Sequence, residues 1–538
     1  MGHVVLWACS LATALLLVAT LLAVTVRWPR RYGQTFWPIL AGALVLALAC
    51  AASVLAGYLE FRERLDVSRF YPVVVWTALY LAGSATVLVG GLRRREGAAA
   101  ASGWRRGPLA AALAGITLLT VGTFAYLDWA ARSRLASLRA EAGAKALTPI
   151  AGPLAARDNA AALYREAFAV LKQTERDPHA PWEQIWNRRE IHADDLDPHH
   201  PALRTYVDKL QDGLELLRRA AAQPGCSFDR DLSRGVELDN AELRQLHYAA
   251  RVLALDGLVC EGRGDVSKAL DDVVAIYRMA RQIDEPILIP QLVAARIEEI
   301  GGQTLEAVLG KTVLSAEDLR RLDLPSPPGY VERMLKAMEG EEVAMGLSSF
   351  QTLTEGSSPS GNLKFDLWVG SAEPRVWLAN PLYRVFYLEQ DVAAYQRTLA
   401  EMRALGARPY HQADADWRAL DQELRGQRRG MLTGMIKPDG RSCVQRAIEA
   451  DARVQLARLA IAVCRYRCNT GSHPDPLAQL VPDYLSALPA DPCDGQPLRA
   501  RRLDDGLLLY SVGIDLTDDG GAAWNPATRS GDLVLRMR

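Results

Sequence analysis

The sequence predicts a mainly α-helical protein in three parts: a four-helix transmembrane region, an extracytoplasmic α-helical domain and a small C-terminal α+β module. Three observations carry that reading. Residues 1–134 hold four long apolar runs without a charge in any of them. Residues 135–440 repeat apolar positions at helical spacing, in a helical domain to 350 followed by a loop and a helical segment from 351. Residues 441–538 change to one long helix followed by short strands punctuated with proline and glycine. The averages of the 538-residue chain, 49% hydrophobic and 23% charged with a net charge of −1, conceal this division.

The four runs are Val4–Val26, Phe36–Leu59, Phe70–Leu92 and Pro108–Tyr126. Each is long enough to cross a bilayer as helix, for which about 20 apolar residues suffice. The first run has no basic segment ahead of it, so it reads as a retained span rather than a signal peptide. Orientation follows from the bases in short loops. Arg27, Arg30, Arg31, Arg93, Arg94, Arg95, Arg105 and Arg106 lie after the first and third spans; Arg62, Arg64, Arg69, Arg132, Arg134 and Arg139 lie on the other side. Eight against six places both termini and the large C-terminal part outside the cytoplasm. The lipid bilayer is then the first expected partner. Balanced charge with no basic stripe argues against nucleic acid.

In the helical domain, Asp239 and Glu242 form a capping-box pattern ahead of AELRQLHYAARVLALDGLVC. Leu243, Leu246, Ala250 and Leu253 share one face of that helix. EGRGD at 261–265 reads as a turn, and VSKALDDVVAIYRMARQI as the returning helix, giving an α-hairpin of tetratricopeptide type. Further helices are expected at 286–309, at 315–323 behind a Ser315 cap, at 329–349, at 382–404 and at 413–428.

In the last part, Leu456, Leu459, Ala460, Val463 and Tyr466 give a long helix one apolar face, and Asn469-Thr470-Gly471 ends it. LVPDYLSALPADPCDGQPL follows, then candidate strands Leu498–Leu503, Leu507–Val512 and Leu533–Met537. The order LVPDYL, LPADP, DG and YSVG, with aspartates and a double glycine behind, resembles the major pseudopilin of type II secretion. The resemblance covers residues 442–538 and implies a helix packed on a small antiparallel sheet, with calcium held in the last loop. The ligands it implies are Ser511, Asp515, Asp518 and Asp519. The other reading of these acids is a solvated turn in which aspartates cap backbone N–H groups. Where the family's loop carries glycine after its first aspartate, this chain has Leu516. The helix also begins polar, SCVQRAIEADARVQ, which speaks against assembly into a pilus-like filament. The remainder of the chain resembles uncharacterised bacterial membrane proteins with a helical domain, a resemblance that implies the bacterial cytoplasmic (inner) membrane as the location of the four spans.

Six cysteines, Cys226, Cys260, Cys443, Cys464, Cys468 and Cys493, lie beyond the apolar runs, with no CxxC pair. Cys493 precedes the Asp494-Gly495 turn, where the family pattern has an aromatic. It is expected either to pair with Cys464 or Cys468 on the preceding helix or to pack, as they do, as a buried thiol.

The one His/Asp cluster is IHADDLDPHHPAL, with His192, Asp194, Asp195, Asp197, His199 and His200. It reads either as a metal site or as a loop whose Pro201 opens the next helix. His247, His411 and His473 read as ordinary side chains. GxSxG, HExxH, P-loop and GxGxxG motifs are absent from the sequence. The expectation is a non-catalytic, membrane-anchored scaffold or binding protein of the cell envelope with protein partners there. The alternatives are a secretion- or pilus-associated accessory subunit and a membrane-tethered hydrolase.

Overall fold

The structure is a computed structural model that describes residues 107–538 apart from 151, 153, 176–199, 323, 325–328, 356–380, 382, 386, 427–429, 431, 526 and 529. The chain divides into two compact units. One comprises Met1–Arg134 with Trp377–Leu388, the other Leu135–Val376 with Glu389–Arg538.

The first described helix, α1, runs Gly107–Ala146. It contains the fourth apolar run but does not stop there, continuing without a break through Asp128, Arg132, Arg134 and Arg139. Asp128 is buried and takes Arg384 Nε at 2.6 Å and Nη2 at 3.2 Å, with Arg132 Nη2 at 2.6 Å. No helix among the described residues is long and apolar enough to cross a membrane. That overturns the four-helix transmembrane region and the bacterial inner-membrane location drawn from it. The expectation rested on the length of apolar runs, which does not distinguish a bounded span from one end of a longer helix. The other three runs lie outside the described residues.

In the larger unit, α2 (Ala161–Glu175), α3 (Pro201–Lys209) and α4 (Gln211–Ala221) precede the expected hairpin. Its arms are α5 (Ala241–Gly262) and α6 (Val266–Gln282). The start of α5 differs from the capping box. Asn240 is the cap residue, and Asp239 Oδ1 instead accepts the Ala241 N–H at 2.9 Å. The turn is as expected: Gly264 takes φ +83°, where a Cβ would be strained, and the Asp265 carboxylate caps α6 by accepting from Lys268 N. Next come α7 (Leu288–Lys311) and α8 (Ala316–Arg321), the latter opened by a Ser315/Asp318 capping box.

Helix α9 (Tyr330–Glu341) passes through a π-helical turn, Glu342–Leu347, into α10 (Ser348–Glu355). Two glycines, Gly340 ahead of that turn and Gly346 within it, stand where nothing larger fits. A Cβ on Gly340 would stand 1.7 Å from the Pro286 carbonyl oxygen, and one on Gly346 would stand 2.1 Å from the Tyr395 ring. Helices α11 (Leu388–Gly406), α12 (Tyr410–Gly426) and α13 (Thr433–Ile436) follow.

The long helix α14 spans Gly440–Thr470 and ends on Gly471 at φ 77°, whose N–H returns to the Arg467 carbonyl. Strands β1 (Arg499–Leu503), β2 (Gly506–Ser511) and β3 (Leu533–Met537) form an antiparallel sheet in that order, with Arg499 opposite Tyr510 and Ser511 opposite Leu533. One hydrophobic core joins this module to the helical domain. It contains Leu270, Val273 and Tyr277 of α6, Leu305 and Leu309 of α7, Leu456, Leu459 and Val463 of α14, and Leu509, Leu535 and Met537 of the sheet. The last strand is tied to α7 by Arg536 N to Glu306 Oε1 at 3.0 Å and by Arg538 N to the Leu309 carbonyl at 2.9 Å.

Candidate functional site

The structure places the four expected loop ligands at four different tasks. Ser511, on β2, is buried and donates its hydroxyl to Asp491 Oδ1 at 2.8 Å. Asp515 accepts from Thr517 N at 3.2 Å and Gly531 N at 3.0 Å. Asp518 accepts from Gly520 N and pairs with Arg499 Nε, both at 3.0 Å. Asp519 is exposed and uses its backbone N–H on Asp532. Aspartates here shape turns by holding backbone N–H groups.

Two acids that the sequence reading gave no role organise the module. Asp491, wholly buried, accepts from Cys493 N at 2.9 Å, Ser511 Oγ at 2.8 Å and Val512 N at 3.0 Å. Asp532, also buried, accepts from Asp519 N at 3.3 Å and Gly521 N at 2.6 Å. The signal for Asp491 was present in LPADP. An aspartate between prolines ahead of a turn pair is well placed to satisfy several N–H groups at once. Leu516 adopts φ 62°, the left-handed conformation that glycine would take without strain.

All six cysteines of the described part are free thiols. Cys493 lies 3.6 Å from Ser511 Oγ, Cys468 Sγ points at the Leu314 carbonyl at 3.3 Å, and Cys464 is buried on α14, so Cys493 is linked to neither. Of the histidine cluster, His192 through His199 lie outside the described residues. His200 is exposed, and Pro201 opens α3 as expected. His247 is half-buried on α5, and burial, reinforced by Arg296 and Arg251, lowers it to about 4.

The densest chemistry lies elsewhere, inside the helical hairpin. Asp256 and Cys260 sit one turn apart on α5, so their side chains share a face. Asp272 faces them from α6. Gly257 allows this approach: a Cβ there would meet Asp272 Cβ at 3.6 Å and Thr304 Cγ2 at 3.3 Å. Arg218 of α4 reaches between the acids, donating Nε to Asp272 Oδ1 at 2.8 Å and Nη2 to Asp256 Oδ2. Gln211 Nε2 donates to Asp256 Oδ1 at 3.1 Å, and Lys268 Nζ donates to Gln211 Oε1 at 2.7 Å. The three side chains on α5 and α6 are buried. Burial, with Asp256 beside it, pushes the Asp272 carboxyl well above the usual range against the pull of Arg218. Burial and the same two acids push the Cys260 thiol up to about 12.

No family model, curated protein or solved structure matches this chain.

A second buried network joins α6, α7 and α9. Glu298 accepts from the Tyr330 hydroxyl at 2.6 Å and pairs with Arg281 at 3.3 Å, while Arg281 lies 4.3 Å over the Tyr330 ring. Arg333 donates to Gln291 Oε1 at 2.8 Å and to the Ile283 carbonyl. Each charge meets an opposite charge or an oxygen, the condition for burying ionic groups. Sequence reasoning missed both networks because their members are far apart in the chain and each occupies an otherwise apolar helix face.

Proposed function

We propose that this chain works as a non-catalytic scaffold or binding protein built on a layered helical domain. The observation that supports this most is the layering itself. Helices α5, α6 and α7 pack against one another, and α14 with its sheet closes onto α7, in one continuous core. Helical layers of this kind offer extended surfaces for partners, and their internal polar groups serve to fix the stacking. The apolar face of α14 is occupied within the chain, which leaves it unavailable for stacking copies into a filament.

The test is site-specific photocrosslinking in cells, with the probe at exposed positions on three helices: Arg244 on α5, Arg320 on α8 and Met435 on α13. A scaffold gives discrete adducts from some of these positions and none from the others. Absence of specific adducts, combined with turnover of ester, phosphate or glycoside substrates by the purified chain, would overturn the reading.

A further inference from the structure

Among the described residues, one set of metal-competent side chains converges. The carboxylate oxygens of Asp256 and Asp272 and the sulfur of Cys260 lie within 4.8 Å of one another. Arg218 occupies one oxygen of each acid, Asp256 Oδ2 and Asp272 Oδ1. Of the other two, Asp256 Oδ1 faces Gln211 and the Cys260 sulfur, the latter at 3.7 Å. Asp272 Oδ2 receives no N–H or O–H at all, although its side chain is wholly buried. An acceptor removed from water and left without a partner is costly. Something positive belongs at that edge, and two species qualify: a proton shared with the neighbouring Asp256 carboxyl, or a cation.

The ligand chemistry favours the cation, because the Cys260 sulfur closes a third side of the gap, 3.7 Å from Asp256 Oδ1. With the proton, two carboxyls carrying one charge between them and the Arg218 guanidinium sum to zero. A divalent cation that displaces that proton and ionises Cys260 leaves the sum at zero, so the exchange buries no net charge. Lys268, whose Nζ is 3.8 Å from Asp256 Oδ2, sits at the rim and is a third exposed. One thiolate with two carboxylates suits zinc or cobalt, whereas magnesium and calcium take oxygen ligands only. We propose that Asp256, Cys260 and Asp272 ligate one zinc-class divalent cation between α5 and α6, with Arg218 as the counter-ion that orients both carboxylates from behind. In that arrangement the cation locks the hairpin, and Arg218 does for the ligating acids what carboxylates do for ligating histidines in other metal sites. Protons balance as follows: the thiol proton and the proton shared by the two carboxyls leave to solvent, and one metal–sulfur and two metal–oxygen bonds form.

The experiment uses the full-length purified chain, stripped with chelator and titrated with cobalt(II) and zinc(II). One equivalent should bind, with a sulfur-to-cobalt charge-transfer band and release of two protons per zinc in weakly buffered solution. Cys260→Ala should abolish the band, and Asp272→Asn should weaken affinity by roughly 10–100-fold, both in variants whose metal-free unfolding remains cooperative. If either variant fails to fold, the wild-type proton count and zinc protection of Cys260 from alkylation still decide. No uptake by the wild type, uptake without proton release, or a band that survives Cys260→Ala would overturn the assignment and leave a proton closing the cluster.

Discussion

Glu341 ends α9 just before the π-helical turn, and its Oε2 accepts the Leu288 N–H at 3.1 Å. Burial dominates its surroundings and lifts its carboxyl to about 7, with the Leu288 N–H pulling weakly the other way. The buried Tyr395 hydroxyl and Cys443 thiol both feel its charge. In the unfolded chain a glutamate ionises near its ordinary value of 4.5. Between that value and about 7 the folded state therefore holds a proton that the unfolded state has lost, so stability falls as pH rises through the window. At about 1.4 kcal/mol per pH unit, the full loss amounts to at most about 3 kcal/mol, complete above the folded value and absent below the unfolded one. Glu341→Gln keeps an acceptor for Leu288 without the charge. Urea midpoints of the two proteins, measured from acid to mildly alkaline pH, should coincide at the acid end and separate as pH rises. Glutamine should be the more stable at the alkaline end by up to that amount. Curves that stay parallel across the range would show that the Glu341 carboxylate ionises without penalty, and the reasoning from its burial would fail.

Other perturbations have equally definite outcomes. Arg218→Met strands two buried acids and should cost about 3–5 kcal/mol in chemical denaturation, with Asp256→Asn added to it recovering part of the loss. Leu516→Gly relieves a left-handed residue and should raise the unfolding temperature, by an amount equivalent to about 1 kcal/mol. Asp532→Ala removes the acceptor of two backbone N–H groups and should cost about 2–4 kcal/mol by the same measurement. Gly340→Ala, whose new methyl would collide with the Pro286 carbonyl, should lower soluble yield and the unfolding temperature more than Gly434→Ala, where the space is open.

Local signals in the sequence were the most legible. Ser315, Gly264 with Asp265, and Gly471 each fixed an element end through contacts made within a few residues, and all three ends are where those residues place them. The three strands of the C-terminal module were readable for the same reason, as short segments bounded by proline, glycine and aspartate turns. What could not be read depends on distance along the chain. Arg218 meets Asp256 and Asp272 across 38 and 54 positions, and nothing near any of them announces the pairing. The loop aspartates were visible as a group, yet their division of labour was not. Asp491 and Asp532, rather than Asp518 and Asp519, are the buried ones, and burial is decided by how the strands fold back. The fourth apolar run misled for a related reason: composition says how greasy a helix is, not where it ends or what its charged continuation pairs with.

The seam between β3 and α7 sets a schedule for synthesis. Glu306 receives its Arg536 partner from 230 positions further along the chain. At a translation rate of about 5–20 residues per second, the face of α7 that β3 covers waits roughly 10–45 s after its own residues are made. During that interval Leu305 and Leu309 have no strand to cover them. Ribosome stalling inside the last module would therefore yield a product whose earlier helices are made yet still open on that side.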